Sequence, residues 1–82
     1  MAINFEELIK SMVAPLVVNP SDVVVKKLDE DDEFLTLQVL VNKDDLGRVI
    51  GKNGKIAQAI RTIAYAGASK EGKKIKIDID AF

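Results

Sequence analysis

The stretch from Asp45 to Arg61, DLGRVIGKNGKIAQAIR, reads as a helix, a four-residue break and a second helix. The break is Gly51-Lys52-Asn53-Gly54. Glycine is what a chain uses to turn sharply or to let another backbone come close. Turning alone does not explain the cations: Lys52 stands between the glycines, Arg48 just before them and Lys55 just after. Any fold for this chain has to seat two successive helices around this point and leave the charged break at the surface.

The flanking sequence supplies the other elements. Phe5, Leu8, Ile9, Met12, Val13 and Leu16 recur at spacings of three and four, one apolar stripe of a first helix. Asn4 is its expected N-cap, with Glu7 placed as in a capping box and Ile3 and Leu8 placed as a hydrophobic staple. Pro15 predicts a kink or an early end near Ala14. Residues 23–28 are rich in β-branched side chains and predict a strand. The five carboxylates of residues 29–33 form an acidic turn that is expected to stay solvated, without the glycine and spacing of a calcium loop. Phe34 to Val41 is a second strand, antiparallel to the first. A short helix is expected over residues 44–50, led by acidic residues that suit its positive end, and a longer one over residues 55–69. Ile75, Ile77 and Ile79 alternate with Lys74, Lys76, Asp78 and Asp80 as a half-buried strand. The order α-β-β-α-α-β makes the last two strands parallel across a right-handed crossover. The expected class is α+β: a three-stranded mixed sheet with three helices on one face, a single domain over residues 1–82.

Composition bounds the function. The chain has 82 residues, 48% of them apolar, so it is globular with a thin stability margin. It has no Cys and no His, which removes disulfides, thiolate metal sites and most nucleophile–base pairs. Nothing resembles a membrane span or a signal peptide, and the expectation is a cytoplasmic protein with no cofactor, no metal and no membrane partner. Net charge is −1, but its distribution is uneven: residues 1–46 hold four basic and ten acidic side chains, and residues 47–82 hold eight basic and three acidic. The halves therefore carry −6 and +5. A polyanion responds to the local field around the break, not to the total.

The run Val49-Ile50-Gly51-Lys52-Asn53-Gly54-Lys55-Ile56, with a short helix before it, a longer helix after it and a strand behind, resembles the signature of the KH domain. Together with the amino-terminal helix and hairpin it resembles the type II, bacterial form of that fold. The resemblance spans essentially the whole chain. Gly47-Arg48-Val49-Ile50-Gly51 and Ala59-Ile60-Arg61-Thr62-Ile63 look like the pattern of the small stand-alone KhpA family. The resemblance implies a non-enzymatic protein that binds single-stranded RNA, a chaperone-like regulator that forms homodimers or pairs with a larger KH protein of the Jag or KhpB type.

The residues support that reading on their own chemistry. Gly51 and Gly54 lack Cβ atoms, so a sugar-phosphate backbone has room to approach. The start of the following helix favours an anion. Arg48, Lys52 and Lys55 add positive charge, and Asn53 sits with them at the tip. Val49, Ile50 and Ile56 are expected to wall an apolar groove for about four nucleotides, with Arg61 nearby for the RNA backbone. With three Phe and one Tyr in the chain, weak sequence preference follows. Ala59, Ile63 and Ala66 form a second small apolar stripe on the long helix, expected to serve a dimer interface unless the first helix covers it. An adaptor that uses the fold mainly for protein pairing is the alternative function. Asp78 and Asp80 face solvent with no base or electrophile beside them, so nothing points to an enzyme.

Overall fold

The computed structural model describes residues 3–82. It contains α1 (Phe5–Val13), β1 (Val24–Glu30), β2 (Phe34–Val41), α2 (Leu46–Ile50), α3 (Lys55–Lys70) and β3 (Lys74–Ala81), with short 3-10 turns between α1 and β1, β2 and α2, and α2 and α3. The expected α-β-β-α-α-β order and α+β class are observed. The sheet runs β1-β2-β3, with β1 antiparallel to β2 and β2 parallel to β3. A parallel pair needs a crossover, and α2, the glycine break and α3 supply it.

The alternation read in the sequence decides which face is covered. Leu35, Leu37, Val39 and Val41 of β2 and Ile75 and Ile77 of β3 are buried under the helices, while Lys74, Lys76, Asp78 and Asp80 stay exposed. The helices contribute Phe5, Ile9 and Val13 from α1, Val49 from α2, and Ile60, Ala64 and Ala68 from α3 to the same core.

Local chemistry sets the ends of α1. The Asn4 side chain accepts from the Glu7 N–H at 3.1 Å, as expected of the cap. The α-helix stops at Val13, and Ala14–Leu16 continue as a 3-10 turn because Pro15 has no N–H to give. Ile3 ties this end to α3: its N–H donates to Glu71 Oε1 at 2.6 Å, and its side chain and the Phe5 ring lie over Gly67. A Cβ at Gly67 would stand 3.2 Å from both, so glycine here lets α1 and α3 approach closely.

The hairpin departs from expectation in two ways. β1 runs two residues further, to Glu30, past an irregularity between Lys27 and Asp29 that leaves Leu28 half exposed. The acidic turn is also not merely solvated. Asp31 Oδ1 accepts from the N–H groups of Glu33 and Phe34 at 2.8 and 2.7 Å, and those bonds hold its carboxyl below the usual aspartate range. Glu30 pairs with Lys73 at the start of β3 and with Lys27 at 3.1 Å, and the Lys73 contact is the main reason its pKa is lowered. The turn's own backbone and two lysines thus relieve part of the repulsion.

Candidate nucleic-acid interface

Three anchors position the break. The first is Val49, wholly buried beneath α2. The second is Asp45, just before α2 and only 1% exposed. Its carboxylate accepts from the N–H groups of Val18 and Asn19 at 3.1 and 3.0 Å and from Asn19 Nδ2 at 3.1 Å. Burial alone raises the Asp45 pKa; the Val18, Asn19 and Arg48 contacts outweigh it and leave the carboxyl below the usual range. The third anchor is Gly51, whose N–H closes α2 onto Gly47 O at 2.9 Å.

Gly51 has φ 76° and ψ 173°, a region open essentially to glycine alone. A Cβ there would meet the Ile56 side chain at 2.6–2.9 Å. Asn53 (φ 58°, ψ 25°) and Gly54 (φ 73°, ψ 12°) then take left-handed conformations, and Gly54 N–H bonds Gly51 O at 3.1 Å. A Cβ on Gly54 would meet nothing within 4 Å. The two glycines therefore do different work. Gly51 makes the turn and admits Ile56, whereas the space beside Gly54 is open. Asn is among the few non-glycine residues that tolerate the left-handed region, a signal at Asn53 that sequence reading alone passed over.

This asymmetry gives a prediction. Gly51→Ala is expected to cost about 3 kcal/mol or more, from backbone strain plus overpacking against Ile56, and Gly54→Ala only about 1 kcal/mol. Urea unfolding midpoints of the two variants measure the difference, and equal midpoints would refute the distinction.

The expected site residues do not all reach one surface. Lys52, Asn53 and Lys55 are exposed at the tip. Arg48 is 59% exposed, and its Nε lies 3.8 Å from Asp45 Oδ1, so the guanidinium is loosely tethered with its far end in solvent. Ile50 and Ile56 are half-buried and can offer an apolar wall. Val49 is a correction: at 0% exposure it is core and has no area to present to a base. Arg61 is also placed differently. Its Nε and an Nη donate to Ile77 O at 3.4 and 3.3 Å, so it covers the outer edge of β3 beside the loop instead of standing free. Both distances are long for charge-assisted bonds.

On α3 the buried face is Ala57, Ile60, Ala64 and Ala68. Of the neighbouring residues, Ile56 is half-buried beside Gly51, and Gly67 lies under α1. Ala59, Ile63 and Ala66 are exposed, Ile63 by 53%, so α1 does not cover that stripe. Among the described residues, no helix is long and apolar enough to cross a membrane.

A mixed three-stranded sheet under three helices, with Gly-Lys-Asn-Gly between the second and third, defines a KH domain of type II. The profile of the KhpA/KhpB KH domain matches residues 6–79, and the chain belongs to that family. It is 55% identical over 74 residues to the RNA-binding protein KhpA of Listeria monocytogenes, covering 90% of this chain and 96% of that one. It is 41% identical over 76 residues to the RNA-binding protein KhpA of Bacillus subtilis, covering 93% of each. Among solved structures, Era from Aquifex aeolicus superposes with a TM-score of 0.71 at 16% identity, over 95% of this chain and 30% of that one, a likeness of fold.

Proposed function

We propose that this chain is a non-enzymatic, cytoplasmic binder of single-stranded RNA, a chaperone-like regulator that holds about four nucleotides at the loop 51–54. The observation that carries the reading is the open, left-handed turn at Gly54 with Lys52 and Lys55 exposed beside it, in a family whose similar members are RNA-binding proteins. The phosphates lie along the Gly54 side of the loop. Lys52, Lys55 and the outer end of Arg48 neutralise them, and the start of α3 adds its positive end. Asn53 shapes the turn and offers an amide to the sugar-phosphate chain. Bases rest over Ile50 and Ile56. Arg61 keeps the β3 edge closed beside them and has N–H groups to spare for the RNA backbone. Phosphate contacts dominate, so sequence preference is weak. In a salt titration against unstructured RNA, log affinity is expected to fall linearly with log salt, by roughly 0.7 per phosphate neutralised. A flat response would leave no phosphate contact and defeat the reading.

The exposed stripe Ala59, Ile63 and Ala66 favours a second role for the same fold, pairing of two chains through the outer face of α3. Small residues permit close helix approach and Ile63 supplies the apolar centre. A larger KH protein of the KhpB type is the alternative occupant, and the reading of the chain as mainly an adaptor rests on this face. Ile63→Lys is expected to convert a dimer to a monomer in sedimentation at micromolar concentration, with the monomer still folded because Ile63 is 53% exposed in the single chain. An unchanged mass would remove the stripe from the interface.

A further inference from the structure

The aromatic side chains are few and unevenly placed. Phe5 is buried, while Phe34 and Tyr65 are 45% and 44% exposed. Both flank Lys74. Its Nζ lies 5.7 Å from the centre of the Phe34 ring, and Tyr65 lines a cleft of about 310 Å³ with Ser69, Lys73, Lys74 and Ile75. The cleft is formed where the second half of α3 meets the start of β3. Lys73 is committed to Glu30, and the Glu71 carboxylate accepts from the Ile3 N–H. Among the described residues, the Lys74 ammonium is held only by the Phe34 ring, a contact that is weak at an exposed site. Tyr65 stands one helical turn beyond Arg61 on the same side of α3, the side that meets β3 through Ile77 O. From Lys55 to Tyr65 the helix rises ~15 Å, so loop and cleft lie along one seam.

We infer that this cleft is a base-stacking subsite, in which a nucleobase of the strand held at the loop lies against the Tyr65 ring and Lys74 leaves Phe34 to meet the neighbouring phosphate. The inference rests on the RNA reading above and lengthens its footprint beyond the loop. Single-strand binders join a cationic track to an aromatic platform in this way, and stacking tolerates any base. The occupant is RNA because the rim of the cleft holds Lys74, whose ammonium rests on the Phe34 ring within reach of the cleft mouth, and the cleft continues the seam that begins at the cationic loop.

The test uses an accident of composition. Tyr65 is the chain's only Tyr and there is no Trp, so tyrosine fluorescence reports on Tyr65 directly. Oligouridylates of about four and about ten nucleotides serve as probes, the shorter matched to the loop footprint. The longer one is expected to quench tyrosine fluorescence and to bind more tightly than the shorter. Tyr65→Ala is expected to lose about 5- to 100-fold in affinity for the longer oligonucleotide and little for the shorter, while Tyr65→Phe keeps most of it. Alanine at this exposed helical position leaves folding intact. If RNA leaves the fluorescence unchanged, if Tyr65→Ala binds the longer probe like the parent, or if Tyr65→Phe is as weak as Tyr65→Ala, the stacking subsite is overturned. The double aspartate variant at Lys52 and Asn53 separates the two claims. It weakens both probes if the loop reading holds. If it weakens neither while Tyr65→Ala weakens the longer, the loop reading fails and the subsite stands alone.

Discussion

Replacing Lys52 and Asn53 together by aspartate is expected to weaken binding to unstructured RNA by roughly 30- to 100-fold while leaving Tm within a few degrees. The change removes one positive charge and adds two negative ones at the loop tip, where both side chains are exposed. Phosphate contacts that release counterions become repulsive, so the dependence of log affinity on log salt also flattens, by roughly 0.7 for each phosphate that is no longer neutralised. Folding is spared for a structural reason. Asn53 occupies the left-handed region at φ 58°, and aspartate shares asparagine's tolerance for it. The Lys52 side chain has no internal role to lose, being exposed in a one-turn connection. Fluorescence anisotropy at two salt concentrations, with a thermal melt as control, decides the matter. Undiminished affinity with an intact fold would take the loop out of the mechanism.

Asp45→Ala is expected to lower Tm by on the order of 10–20 °C. Alanine removes the acceptor for three N–H bonds and leaves the Val18 and Asn19 donors without their protein partner. It also frees Arg48 and loosens the connection that holds α2, so the loop loses part of its preorganisation. The effect has a pH signature. The folded-state pKa of Asp45 is depressed, so its ionic contribution is fully present above the ordinary aspartate value of ~3.9 and is lost as pH falls through the lowered folded value. The gap in Tm between parent and variant is therefore constant near neutrality and narrows in acid. Glu30 and Asp31 also have lowered pKa values, but they are common to both proteins and cancel in the gap. A gap that does not change with pH would show that the Asp45 charge contributes nothing beyond its shape.

The two residues illustrate what could and could not be read from the chain. The loop was legible because its signal is local: two glycines at fixed spacing, helical periodicity on both sides and cations around them. Asp45 was not. Beside Asp44 it reads as one of two acids at a helix start, and nothing nearby marks it as buried. Its partners Val18 and Asn19 lie 27 and 26 residues away, and only folding brings them to it. The contact of Arg61 with β3 was hidden for the same reason. On a helical surface it looks free, and the Ile77 carbonyl that it covers becomes its neighbour only once β3 has been laid beside β2. Val49 sits inside the signature of the site and yet belongs wholly to the core, because a five-residue helix must bury one residue firmly to stay in place.

Periodicity, caps and turn chemistry act over a few residues, so the sequence by itself determined the order of elements, the covered face of β2 and β3, the end of α1 near Pro15 and the position of the break. Tertiary structure alone decided which charges are free and which are spent. A carboxylate or guanidinium takes its role from whatever donor or acceptor lies within about 3 Å, and here Asp45, Glu30 and Arg61 found theirs on elements distant in the chain.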